Sequence, residues 1–558
     1  MSEASGAAPS ASRPETRLGS ARSFLGPWLH LASRLGVSAR ELATLTAIVV
    51  AAATLRLANL PARGGWDSDQ GTEMLALRSA ISTGQIPTFG PQAISVGGQF
   101  HHGALYYDLL LPAAWLGNGN PTFVVAEIAL LGLLVVPIVW WIARSIGGPA
   151  AGLTAALLAA VSAAMIGYST FIWNPTLVEP GAALAYLGAW QAWHRDSGRW
   201  WLLAAFGAAV AMQSHVAAAV IVLPLAVVYL AALRRSRGRR LATTAWGLAG
   251  VALVAATYLP LIVYELGHDF AEIRGTLGYF SSPDTSPALD PLTRLFFSAL
   301  RILAWPLTRW PLADRLPGFL PALAVALAIA MGLLWRVMKA GTTAEEGTEP
   351  APAASSTPPT AVERAGARFI GGSLLLIVVV LGLGLRAVSE IQDLPTEQYH
   401  VVADPLVFVA AGLIAGGLWR VRRRAFRFAA VAGVVALVAW NAGQWPPPTA
   451  YDGGWPGAQA AAARVEQDAG GSAVALVPLF VEKGTDAYAY PLLLDGVTLV
   501  APQDAGTVVV LCDSVWTSGC GGTAEERWRS AQTSLGLTFV ERFAAAPDRT
   551  LTVYRRAP

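Results

Sequence analysis

Two carboxylates stand two positions apart in the run Trp66-Asp67-Ser68-Asp69-Gln70-Gly71-Thr72-Glu73, and an ionised carboxylate can take the proton from a hydroxyl nucleophile. Glu73 offers a third. The stretch Gly97–Asp108 then brings His101, His102, Tyr106 and Tyr107. Later come Tyr168 with Trp173-Asn174-Pro175, then Gln213 and His215, then Tyr264 with Glu265, and finally Glu397-Gln398-Tyr399-His400. Imidazole, amide and phenol groups can donate hydrogen bonds to a departing phosphate, and aromatic rings can hold a sugar. Each feature also has a structural reading. Paired aspartates often begin a solvated loop, Trp-Asn-Pro can be an interfacial aromatic with proline at helix N1, and a histidine at a helix end is often an interface residue. The two readings part on whether all these groups share one face of the molecule.

Composition supplies that face. Of 558 residues, 54% are hydrophobic and 13% charged, against about 45–50% and about 25% in soluble proteins. This is the composition of a polytopic membrane protein. The balance of 39 basic and 36 acidic residues leaves +3, too small and too dispersed for a nucleic-acid surface. With only Cys512 and Cys520, a cysteine-cluster metal site or iron–sulfur centre is excluded.

A bilayer core requires about 20 apolar residues per helix. Such windows recur near 41–60, 122–143, 149–167, 176–193, 200–215, 217–233, 242–264, 315–337, 369–388, 401–419 and 426–442. Gln213-Ser214-His215 interrupts one long apolar run and reads as a tight turn. Basic residues near span ends stay cytoplasmic, and arginines at 144, 195 with 199, 234–240, 336 and 420–427 mark every second break. The N-terminal tail, 1–40, falls on the same side. It reads as a disordered cytoplasmic tail rather than a secretory signal. An odd number of spans then sends the C-terminus outside. Nearly all the polar groups above lie on the outer face, including five of the seven histidines. The first external loop, 61–121, is the richest.

Residues 340–365, rich in Pro, Ala, Thr and Glu, read as a disordered cytoplasmic linker. From 443 onward the composition turns soluble. Short β-like runs at Ala473–Leu479, Val497–Ala501, Thr507–Cys512 and Leu551–Tyr554, with a helical window at Ala524–Leu535, predict a small extracytoplasmic α/β domain. Cys512 and Cys520 both lie in it, where an oxidising compartment favours a local disulfide over two free thiols.

Carboxylates at an outer membrane boundary, beside aromatic, amide and imidazole groups, suit transfer of a sugar from a polyprenyl-phosphate carrier to an acceptor hydroxyl. A lipid tail lying between helices would explain the many spans. Two other classes compete. A flippase or transporter of lipid-linked sugars should place its polar groups near mid-membrane on interrupted, repeated halves. A scaffold whose external domain binds a partner leaves the polar set without a role.

These motifs resemble those of the GT-C membrane glycosyltransferases, and within them the branch similar to protein O-mannosyltransferases and lipid A aminoarabinose transferases. The resemblance covers about residues 41–442, the expected catalytic domain. It rests on Asp67-Ser68-Asp69-Gln70 after the first span, the Gly97–Tyr107 stretch, Phe171–Pro175, Gln213–His215, and Glu397–His400 followed by Asp404-Pro405. It implies an α-helical polytopic GT-C-like fold of about eleven spans and an inverting transfer from a polyprenyl-phosphate monosaccharide to a glycan, lipid or protein. It implies Asp69 as catalytic base, with Asp67 its rival. Gln70 stands where such enzymes often have Glu, which makes Glu73 a possible second carboxylate. Substrate contacts are expected from Glu73, His101, His102, Tyr106, Trp173, Asn174, Gln213, His215, Tyr399 and His400. A divalent metal held by Asp67, Asp69, His215 and His400 is open, since no compact ligand motif is present. The C-terminal domain is expected to help select the acceptor.

Overall fold

Backbone crossing lipid must satisfy its own N–H and C=O groups, and a single segment does so only as a helix. The computed structural model describes residues 30–95, 98–236, 238–281, 289–310, 316–338, 361–385, 397–480 and 484–556. Residues 386–388 of the window 369–388 lie outside the described residues, and each of the eleven expected spans falls largely on helix. They are α1 (Ala39–Leu57), the two limbs of α5 (Pro121–Val161), α7 (Val178–His194), α8 (Trp200–Ser214), α9 (Val222–Arg235), α10 (Arg240–Thr257), α14 (Leu316–Met338), α15 (Ala361–Gly384), α16 (Asp404–Arg420) and α17 (Arg424–Ala442). Among the described residues, seven helical stretches are long and apolar enough to cross a membrane. The chain is a polytopic helical membrane protein. The 41-residue α5 divides at Gly148, whose φ of 79° and ψ of −176° end one limb and begin the next.

Small residues bring the central helices together. A side chain at Gly412 or Gly416 of α16 would run into Ala151 and Ala155 of α5, so the two backbones touch. Arg56 fastens α1 to the end of the same helix. It is fully buried and donates to the carbonyls of Ala159 at 3.2 Å and Ala160 at 3.0 Å. At the opposite end Glu41 pairs with Arg144 at 2.7 Å.

Three expectations change. The linker read as 340–365 lies outside the described residues up to 360, but α15 already begins at Ala361, because Glu363 is held by Arg420 at 2.5 Å. Residues 1–29 of the tail also lie outside the described residues, whereas 30–35 are helical. A further helix, α13 (Pro291–Thr308), was unmarked by hydropathy because Arg294 and Arg301 dilute its apolar face. Asp290 caps it through Leu292 N at 3.0 Å and Thr293 N at 3.1 Å, and its second half is buried.

The first loop is built from α2 (Leu60–Arg63), α3 (Ser68–Thr83), the hairpin β1 (Gln92–Ser95) and β2 (Gly98–His101), and α4 (Leu105–Leu116). Short helices α6 (Ala163–Tyr168), α11 (Leu259–Gly267) and α12 (Ala271–Ser281) complete that end of the bundle. The C-terminal unit runs α18 (Gly454–Ala469), β3 (Val474–Pro478), α19 (Asp486–Leu494), β4 (Thr507–Asp513), α20 (Thr523–Ala531), β5 (Leu537–Ala546) and β6 (Arg549–Arg556). Its sheet has the order β3-β4-β6-β5, with β3 and β4 parallel and the other pairs antiparallel. Strand β5 and helices α18 and α19 escaped the sequence reading, and Val497–Ala501 contributes only a bridge from Leu499 to Val474. Cys512 and Cys520 are joined as a disulfide, with Cα atoms 5.5 Å apart.

The two regions share a core in which Trp66, Met74 and Leu77 of the first loop pack with Trp455, Tyr488 and Tyr490. Helix α3 lies so close to α19 that a Cβ at Gly71 would overlap the backbone of Asp486 and Ala487. Gly71→Val should therefore lower stability by about 1–3 kcal/mol through overpacking, read as a fall in the melting temperature of purified protein. Gly84→Ala, where a side chain meets open space but φ is 67°, separates backbone strain from crowding.

Candidate active site

Asp67 and Asp69 sit at the start of α3, where two main-chain demands decide their roles. Asp67 is the N-cap. Its carboxylate accepts from Asp69 N at 2.8 Å, while its own N–H donates to Gln70 Oε1 at 2.8 Å, closing a capping box. Residues two apart on a helix do not face the same way. The charge of Asp67 accordingly reaches Asp513 in the C-terminal unit, whereas that of Asp69 reaches Glu73.

The residue before them is gripped from the C-terminal unit. Trp66 N donates to Asp452 Oδ2 at 2.7 Å, Arg549 Nη1 donates to Trp66 O at 2.9 Å, and Arg549 and Asp452 pair at 3.2 Å. Both partners are buried. The Trp66 indole donates to Ala487 O at 2.8 Å and packs on Trp455 with centroids 4.6 Å apart.

Glu73, one turn into α3, is buried against Tyr107, with which it shares a hydrogen bond. Burial, reinforced by the Asp69 charge, pushes its carboxyl up to about 8. The Tyr106 and Tyr107 hydroxyls, buried beside it, titrate well above the usual tyrosine range.

Gln213 joins this group to the rest. Fully buried, it accepts from Leu105 N at 3.1 Å and donates to Thr257 Oγ1 at 2.7 Å, fixing the start of α4 just before Tyr106 and Tyr107. Gly103 permits the approach, because a Cβ there would overlap the Gln213 amide. On the other side Gln70 Nε2 donates to Ile172 O at 2.7 Å, and Asn174 Nδ2 donates to Ser214 O at 2.6 Å. A circuit thus runs from α3 through the 172–174 turn and the 213–215 turn to α4, and back through Tyr107 to Glu73. Inside it, His102 packs on His215 with centroids 5.7 Å apart, and His215 on Tyr399 at 5.3 Å. Burial lowers the His102 imidazole to about 4, so it is neutral at pH 7. Trp173 stacks on Phe171 at 5.8 Å and meets Tyr168 at 6.0 Å.

Not every expected contact joins this set. His101 closes β2, and His102 follows it outside the strand and packs elsewhere. His101 pairs with Glu272 of α12 at 3.0 Å and tethers the hairpin. His400 is buried beside Trp305, with ring centroids 6.1 Å apart. The metal set Asp67, Asp69, His215 and His400 does not assemble: among the described residues no three His, Cys, Asp or Glu side chains gather around a metal position. The capping role of Asp67 and the packing of His400 under Trp305 draw them elsewhere.

Several polar residues had not been singled out as site members. Arg56, Glu179 and Asp404 lie at span ends on the same side of the bundle, and the charges of Glu179 and Asp404 reach the buried Tyr168 hydroxyl. Tyr168 OH, Glu179 Oε1, both His400 ring nitrogens and Asp404 Oδ1 are buried with no hydrogen-bond partner among the described residues. The available signal was a charged residue opening or closing each of three apolar windows.

Residues 113–264 match the family model described as dolichyl-phosphate-mannose-protein mannosyltransferase. The GT-C likeness is borne out. The segment matched includes the Trp173-Asn174 and Gln213–His215 turns. Among solved structures, the chain is similar to ArnT from Cupriavidus metallidurans bound to undecaprenyl phosphate, at 14% identity and a TM-score of 0.47, over 91% of this chain and 97% of that one. It is also similar to the oligosaccharyltransferase AglB from Archaeoglobus fulgidus in complex with an inhibitory peptide and a dolichol-phosphate, at 12% and 0.45, over 93% and 74%. The arabinosyltransferase EmbB from Mycobacterium smegmatis gives 18% and 0.30, over 77% and 43%. No curated protein matches.

The raised Glu73 carboxyl has a stability consequence. The folded chain holds this proton up to about pH 8 while the unfolded chain releases it near 4.5. The contribution is full at low pH and lost as pH rises through that interval. Wild-type melting temperature should therefore decline between pH 5 and 8 more steeply than that of Glu73→Gln; parallel curves would contradict the assignment.

Proposed function

We propose that the chain is a membrane glycosyltransferase that moves a monosaccharide from a polyprenyl-phosphate carrier to an acceptor hydroxyl at the outer face of a cytoplasmic membrane. The observation that carries this reading is the convergence of the first loop, the 213–215 turn and the 397–400 segment through His102, His215 and Tyr399, tied by the Gln70, Asn174 and Gln213 hydrogen bonds to the helix that bears Asp69. The match over 113–264 supports it. The face is the extracytoplasmic one by the placement of arginines, which puts the N-terminus in the cytoplasm and the 443–558 domain outside.

Asp69 is the base in this reading. Asp67 is occupied in capping α3, and Glu73 carries a proton at pH 7. Asp69 takes the acceptor's hydroxyl proton, the acceptor oxygen bonds to the anomeric carbon, and the bond from that carbon to the phosphate oxygen breaks. The electron pair leaves with the polyprenyl phosphate. Neutral His102, together with His215 and the phenol of Tyr399, donates to the departing phosphate, and Trp173 and Tyr106 wall the sugar. A cavity of about 510 Å³ between α13, α14, α16 and α17, walled by Leu307, Pro321, Ile414 and Trp440, suits the apolar tail. Its outer end, at Thr308, adjoins Arg309.

The C-terminal domain serves acceptor choice in this proposal, and through Asp452 and Arg549 it also holds Trp66, next to Asp67. Deleting 450–558 would therefore disturb α3 as well as the acceptor side, so point changes give the cleaner test.

Purified protein given a panel of radiolabelled prenyl-phosphate sugars should consume one of them. Asp69→Asn should insert normally and lose about 100-fold or more in kcat; full activity would refute Asp69 as base, and consumption of no sugar would refute the reaction. Arg549→Lys, which keeps the charge but loses the two-armed grip, should lower kcat by up to about 100-fold with donor KM unchanged. A change confined to KM would show that the grip does not position the base.

A further inference from the structure

The opposite end of the bundle carries an unassigned feature. A cavity of about 450 Å³ opens between α14, α16 and α17, walled by Trp335, Arg336, Gly417, Arg423 and Phe426. It lies next to the apolar groove of about 510 Å³, from which Ile414 and Leu418 divide it. The groove is apolar, whereas the cavity at this end carries two arginines.

Arg336 is the unusual member. It is only 4% exposed, and its guanidinium donates to the Leu413 carbonyl, with Gly417 leaving room for it. No carboxylate lies within ion-pair distance of it among the described residues. Glu363, whose charge reaches it, is held by Arg420 at 2.5 Å. Arg423, exposed at the cap of α17, adds a second positive charge at the mouth. A guanidinium removed from water with no carboxylate in direct contact is costly, and a basic pocket between membrane helices fits a lipid headgroup.

We propose that this cavity binds an anionic glycerophospholipid of the adjoining leaflet, cytoplasmic by the arginine rule, with its phosphate between Arg336 and Arg423 and its acyl chains leaving the cavity past Met331 and Val421. Trp335 and Phe426 flank the glycerol level. The site is distinct from the carrier headgroup of the proposed reaction: Trp440, at the other end of α17, lies about 26 Å away at 1.5 Å per residue. The inference does not depend on that reaction.

The test is lipid retention, measured by native mass spectrometry on full-length protein exchanged into mixed micelles containing equal amounts of phosphatidylglycerol and phosphatidylcholine. Wild type should retain phosphatidylglycerol preferentially, and Arg423→Gln should reduce that preference about fivefold, the equivalent of about 1 kcal/mol per basic residue. Arg336→Met with Arg423→Gln should abolish it. Because Arg423 is exposed, its variant decides the matter even if the Arg336 variant does not fold. Equal retention of the two lipids by wild type, or a preference unaltered by Arg423→Gln, would overturn the proposal. So would displacement of the bound phosphatidylglycerol by an equimolar prenyl phosphate, which would make the carrier the occupant.

Discussion

Polar groups at the ends of apolar helices have few places to go, and the architecture follows from how they are satisfied. Lipid offers no hydrogen-bond partners and the helix interior is already paired, so side chains such as Gln213, Asn174 and Gln70 complete one another's turns. Gln213 is the hinge of this arrangement. Its amide holds the start of α4 on one side and Thr257 of α10 on the other, with no exposure to water. Once those ends are tied, the ring of His215 packs tilted against His102 and edge-on against Tyr399.

The same economy operates around α3. A capping box commits Asp67 to the backbone, and this releases Asp69 from that duty. The buried Asp452–Arg549 pair spends its charges on the amide and carbonyl of Trp66. A pair so buried contributes little net stability by Coulomb attraction alone, but its geometry transmits the position of the C-terminal sheet to the loop that opens α3. The soluble unit is thus structurally continuous with the membrane-side site through the core around Trp66, Trp455 and Tyr490.

Charge sorting governs the two ends differently. At the end bearing the polar circuit, Arg56 meets the charge of Glu179, and carboxyl and phenol groups lie close under the helix termini. At the other end arginines predominate, with Glu41 and Glu363 each taken by one of them. That asymmetry was visible in the chain as arginines at alternate breaks, before any helix was placed.

Much of this was legible in the residues themselves. Windows of about 20 apolar residues must become helices in lipid, so the helical spans followed from composition, as did the mixed strand-and-helix character of the C-terminal unit. Helix α13 and strand β5 were not legible, because an apolar face interrupted by two arginines and a half-exposed strand carry no strong hydropathy signal. Which of Asp67 and Asp69 caps the helix and which faces Glu73, the parting of His101 from His102, and the burial of Glu179, Asp404 and Arg56 together were decided only in three dimensions. Hydropathy is a local property of ten to twenty residues. The partner of a polar side chain is set by helix crossing and strand register between segments hundreds of residues apart.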